Sequence, residues 1–158
     1  MANAALNGKM SVSYPDGFHE MSEAERGQLN FIEEGKGVCL SDPRRHMIVT
    51  TGFKRIGMLQ KLLLGGKDLA KNMEAQIRKP MARYGYRLKG YSEKQLDGKA
   101  ANGIMYTYTA QGVDMYAESY VVKSGDTLYY LHLYTRMALW AENQSVWDQI
   151  LDSVAWAE

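Results

Sequence analysis

Hydrophobic and polar positions alternate most regularly between Ile104 and Arg136. Ile104–Thr109, Met115–Val122 and Thr127–Arg136 are rich in aromatic and β-branched residues. Gly112 and Ser124-Gly125-Asp126 interrupt them. Three such segments separated by tight-turn residues predict an antiparallel meander over Ala100–Arg136. Upstream, Met10, Val12 and Tyr14 alternate with Ser11 and Ser13, predicting a half-buried strand that stops at the Pro15-Asp16-Gly17 turn. Met47–Thr51 predicts another strand, and Tyr86–Leu96 a third that turns at Leu96-Asp97-Gly98.

A helical period appears in two places. Leu69, Met73, Ile77, Met81 and Tyr84 form one apolar stripe over Lys67–Tyr84, with Gly85 placed as a C-terminal cap. Pro80 lies inside this stripe and predicts a kink or a helix that restarts for one last turn. Trp147, Ile150, Leu151 and Val154 form the second stripe, with Ser145 as its candidate N-cap. Ser22 and Glu25 have capping-box spacing and predict a short helix ending near Gly27. Gln28–Glu34 reads as extended or irregular, Gly35–Gly37 as a turn, and Ile56–Leu64 as a short helix or an apolar loop. The predicted order is strand, irregular segment, strand, helix, four strands, helix. Residues 1–8 are expected to be flexible, and residues 9–158 to form one α+β domain in which an antiparallel meander is flanked by helices.

Composition narrows the function classes. Of 158 residues, 46% are apolar and 23% charged, with a formal net charge of +1. That balance gives no electrostatic reason to expect nucleic acid or an anionic membrane as partner. No stretch approaches the roughly 20 apolar residues of a membrane span. Residues 1–8 lack the basic start and apolar core of a leader peptide. A cytoplasmic location is therefore expected for the chain as given, and an extracytoplasmic one if a leader has been removed. The single cysteine, Cys39, lies between Val38 and Leu40 and is expected to be buried and inert.

No phosphate loop, nucleophile elbow or Cys-x-x-Cys motif occurs. His19, His46 and His132 are too far apart for local metal-ligand spacing. Asp114 and Glu118 would lie roughly 13 Å apart along an extended strand at about 3.3 Å per residue, too far to act on one bond, and read as surface charge. No catalytic residue, metal site or cofactor is therefore assigned. The eleven tyrosines are the remaining signal. Tyr129, Leu131 and Leu133 share one side of their strand and should face the core. Tyr130, His132 and Tyr134 share the other side, and Tyr116 and Tyr120 share one side of the preceding strand. Tyrosine suits packed sheet faces and recognition surfaces alike. These five residues are the candidate binding set.

Three local patterns, in order, resemble the PsbP-like superfamily. They are Met10-Ser-Val-Ser-Tyr-Pro-Asp-Gly-Phe18, Leu96-Asp-Gly-Lys-Ala-Ala101 and Ile150-Leu-Asp-Ser-Val154. The resemblance spans about residues 9–156. It implies an α/β/α sandwich shared with the extrinsic photosystem subunit, the yeast nuclear Ran-binding protein, bacterial lipoproteins and chaperones of type VI secretion effectors. It carries over no catalytic residue. It implies a non-enzymatic module that holds a protein or peptide partner, with a secretion chaperone or lipoprotein domain as special cases. The alternative is a small-molecule binder or small enzyme with a pocket on the Tyr130/His132/Tyr134 face, His132 standing unpaired at its mouth.

Overall fold

Two-residue turns set the topology. Asp97 and Gly98 have φ of 49° and 82°, and Gln111 and Gly112 have φ of 51° and 77°. Two consecutive positive-φ residues match the right-handed twist of the strands they join. Each pair closes a hairpin, with Leu96 opposite Lys99 and Ala110 opposite Val113. The computed structural model describes residues 1–27, 37–57 and 65–157.

The strands are β1 (Ala2–Leu6), β2 (Met10–Tyr14), β3 (His19–Glu20), β4 (Cys39–Asp42), β5 (Met47–Arg55), β6 (Arg87–Leu96), β7 (Lys99–Ala110), β8 (Val113–Ser124), β9 (Thr127–Arg136) and β10 (Ala155–Trp156). The helices are α1 (Glu23–Gly27), α2 (Lys67–Met81) and α3 (Trp140–Asp152). One antiparallel sheet runs in the order β3-β4-β5-β9-β8-β7-β6, and a smaller one in the order β1-β2-β10. The expected meander is therefore present, and β5 joins it beside β9.

The large sheet has a core on each face. On one, Leu40, Val49, Tyr120, Leu131 and Leu133 pack with Trp147, Ile150 and Leu151 of α3 and with Met10, Val12 and Tyr14 of the small sheet. On the other, Ile104, Tyr106, Tyr108, Val121 and Tyr134 pack with Leu69, Met73 and Met81 of α2. The architecture is α+β, an antiparallel sheet between helices.

Several local expectations are met in atomic detail. The Ser22 N–H donates to Glu25 Oε1 at 3.1 Å, and the Glu25 N–H returns the bond to Ser22 Oγ at 3.2 Å, closing the capping box. After Pro80, α2 stops at Met81 and tightens into a 3-10 turn, Ala82–Tyr84. Gly85 then takes the left-handed conformation. Cys39 is buried, and desolvation raises its thiol pKa.

Other expectations need correction. Residues 1–8 were expected to be flexible, yet Ala2–Leu6 form β1, paired along its length with β2. Ala4 and Leu6 enter the core, so even small apolar side chains suffice once β2 supplies the hydrogen-bond ladder. Ser145 does not cap α3. The helix starts at Trp140, because a 3-10 turn, Met137–Leu139, carries β9 straight into it. Strands β3 and β10, two residues each, were not foreseen. The expectations for Gln28–Glu34, for the start of the Gly35–Gly37 turn and for Met58–Leu64 lie outside the described residues.

Candidate functional site

Strand register divides the five candidate residues. Counting back from the β8–β9 turn, Tyr120 pairs with Leu131 and Tyr116 with Thr135, while Ser119 pairs with His132 and Ala117 with Tyr134. Directly paired residues share a face. Tyr116 and Tyr120 thus face α3, and Tyr130, His132 and Tyr134 face α2. The structure does not bring the five together.

On the α3 face the centre is Glu118, which the sequence pattern placed at the surface. It is buried, and three neutral donors reach it. Tyr116 Oη donates to Oε2, Tyr120 Oη donates to Oε1 at 3.3 Å, and Trp147 Nε1 donates to Oε1 at 3.0 Å. A buried carboxylate needs such bonds to offset its lost hydration. Burial pushes the Tyr116 and Tyr120 phenols well above their usual range, with the Glu118 carboxylate reinforcing the shift. Tyr116 also stacks on Trp140 with ring centroids 4.4 Å apart. This network ties the meander to α3. The Tyr120 ring packs against Gly103, where an added Cβ would stand 2.5 Å from the ring.

On the α2 face, His132 Nδ1 and Ser119 Oγ are 2.6 Å apart in a hydrogen bond. The unpaired His132 that would have supported the small-molecule alternative is not found. Its ring stacks between Tyr130 and Tyr134, with centroids 6.1 and 6.3 Å away. Burial lowers the His132 pKa to about 4, keeping the imidazole neutral at pH 7. Burial also pushes the Tyr106 phenol up to about 12, opposed by its hydrogen bonds with Ser119 and Tyr134. Ser119 is fully buried, so the Ser119–His132 pair offers no nucleophile to a substrate in this arrangement. Tyr86 Oη donates to Glu74 of α2 at 2.7 Å and ties the helix to the sheet. No group of three or more metal-ligating side chains occurs among the described residues.

An open cleft of about 570 Å³ lies elsewhere, at the turn end of the sheet. It is lined by the β1–β2, β6–β7 and β8–β9 turns, the end of β5 and the segment Trp156–Ala157. Lys9, Arg55 and Lys99 line it together with Asp97 and Asp126. Its walls are held from several directions. Asn7 Nδ2 donates to Tyr129 Oη at 3.1 Å, Trp156 Nε1 to the Leu96 carbonyl at 2.8 Å, and the Ala157 N–H to the Lys9 carbonyl at 2.7 Å. Sequence reading missed this cleft because its residues lie far apart in the chain. The only signal was that the Asp97-Gly98 and Gly125-Asp126 turns fall at the same end of an up-and-down meander; the Asn7-Gly8 turn comes from the small sheet.

No known family pattern and no curated protein sequence matches the chain. Solved structures do. Cyanobacterial PsbP (CyanoP) of Synechocystis superposes with a TM-score of 0.73 at 14% identity, over 99% of this chain and 92% of that one. The chain has a PsbP-like fold. LpqN of Mycobacterium tuberculosis, a protein involved in cell envelope biogenesis, shares it with a TM-score of 0.58 at 13% identity, over 94% of this chain and 83% of that one. The T6SS immunity protein TplEi of Pseudomonas aeruginosa matches with a TM-score of 0.52 at 11% identity, over 76% of this chain and 43% of its own. At these identities the likeness is one of fold, and within the PsbP-like frame the Glu118 network and the turn-end cleft are described from this chain's own residues.

Proposed function

We propose that this PsbP-like protein is a non-enzymatic binding or scaffold module whose partner is a protein or peptide. The observation that carries this reading is the outer edge of β6. This ten-residue strand ends the large sheet, with β7 on one side and no strand beyond it among the described residues. It exposes Leu88 and Tyr91, 38% and 49% accessible. An edge with free backbone donors and acceptors and apolar side chains accepts an added strand. Arg87, Lys89 and Lys94 outnumber Glu93 along it, and the register shifts between Leu88 and Gly90. Charge and a bulge are devices that suppress indiscriminate edge pairing. They favour an extended, acidic partner segment that carries its own apolar residues.

The test is affinity capture with the wild-type protein and with a Leu88→Glu/Tyr91→Glu variant, checked for intact fold by circular dichroism. A partner retained by the wild type and lost by the variant supports the reading. Equal capture by both, or capture of none from the native host, overturns it.

A further inference from the structure

We propose that the turn-end cleft is a binding site for a small organic anion bearing a carboxylate or a phosphate, separate from the β6 edge. Its volume, about 570 Å³, falls in the range of roughly 300–1,000 Å³ typical of small-molecule sites. Its charge is arranged asymmetrically. Asp97 Oδ2 already accepts the Trp156 N–H at 3.0 Å, and Asp126 Oδ1 already accepts the Thr127 hydroxyl at 3.0 Å. Both carboxylates thus help to hold the wall while keeping their charge, so the three cations outnumber the two anions around the cleft. Lys9, Arg55 and Lys99 make no ion pair among the described residues. Their charge is available to a ligand.

The three cations are carried by segments distant in sequence whose backbones are tied to the cleft wall. Arg55 ends β5, and the next residue's N–H donates to the Asp126 carbonyl of the β8–β9 turn at 2.8 Å. Lys99 begins β7 and lies over the Trp156 ring, 5.6 Å from its centroid, in cation–π geometry. Lys9 is held through its carbonyl by the Ala157 N–H. Walls fixed in advance lower the ordering cost of binding. The Arg55 guanidinium has the fork that matches either a carboxylate or a phosphate, and the two ammonium groups add unforked charge. The apolar contribution is the Trp156 indole and the base of the cleft at Tyr129, which suits an anion attached to a small organic body.

The experiment is a ¹H–¹⁵N correlation titration of the whole protein with citrate, with inorganic phosphate and with phenyl phosphate, at fixed ionic strength. Glycerol serves as the neutral control. Saturable shifts confined to Gly98, Gly125, Ala157 and the Trp156 indole N–H are expected. The carboxylate and phosphate arms show which head group is preferred. Arg55→Gln and Lys99→Gln should each weaken binding by about tenfold, the loss of one charge-assisted contact, with unchanged spectra elsewhere. Leu88→Glu/Tyr91→Glu should leave the titration untouched, so the failure of one proposal does not imply failure of the other. Shifts that do not saturate, that spread over the surface, that glycerol or sodium chloride reproduces, or that persist in both charge variants overturn the proposal.

Discussion

Trp147 of α3 donates its indole N–H to Glu118 of β8 at 3.0 Å, joining the helix to the centre of the sheet by a buried polar contact. Tyr116 and Tyr120 complete the set of donors around the same carboxylate. Glu118→Leu should be strongly destabilising, because it strands the buried Trp147 N–H and the half-buried Tyr116 hydroxyl, at roughly 1–3 kcal/mol for a buried donor left unsatisfied, while the Tyr120 hydroxyl keeps Ser92 Oγ at 3.2 Å. Trp147→Phe keeps most of the ring but loses one bond, and should cost less. Urea denaturation of the two variants against the wild type checks the order.

Gly103 should not accept even a methyl group. A Cβ there would stand 2.5 Å from the Tyr120 ring and 2.8 Å from the Ser119 carbonyl. Gly103→Ala is expected to destabilise by about 1–3 kcal/mol, the usual range for overpacking. The double variant Gly103→Ala/Tyr120→Leu should recover part of the loss attributed to Gly103, which a double-mutant cycle reads directly.

Acid should destabilise the protein through His132. Its folded-state pKa is lowered to about 4 by burial from the ordinary 6.5, so the unfolded chain takes up a proton first as pH falls. Stability from this residue is complete above about pH 6.5. It declines as pH drops toward 4, by up to about 3 kcal/mol. Comparing urea midpoints of the wild type and His132→Gln at several pH values between 7.5 and 4 tests this. The variant should show a shallower decline.

Cys39 should stay unlabelled by a thiol-disulfide reagent in the native state and react once denaturant is added. Its side chain is buried, and burial raises the thiol pKa and holds down the thiolate fraction. Rapid labelling under native conditions would contradict this placement.

Much of the fold was legible because strand alternation and turn chemistry are local. Tyr129, Leu131 and Leu133 alternate with Tyr130, His132 and Tyr134, and the Asp97-Gly98 pair marks its hairpin without reference to the rest of the chain. What was not legible depends on pairing. Which tyrosines share a face follows from the β8–β9 register, and the same count would have placed Glu118 beside Tyr116 and Tyr120. Glu118 looked like surface charge because a lone carboxylate in a strand usually is. Its burial is secured by Trp147, 29 residues away. Ala2–Leu6 carries too little apolar bulk to announce a strand, and β10 is two residues long. The cleft draws on all these distant turns and has no local signature.

The small sheet has a consequence for how the protein is made. β2 lies between β1, its near neighbour, and β10, which follows α3; the Ser13 N–H likewise meets Ser153 Oγ, 140 residues later. During vectorial synthesis the β1–β2 hairpin emerges before the large sheet, and one side of β2 waits unpaired until α3 and β10 have been translated. The β1–β2 hairpin is therefore translated well before the strand that completes its sheet, and a nascent chain halted before Ala155 presents an open β2 edge to whatever chaperone or neighbouring chain is nearby.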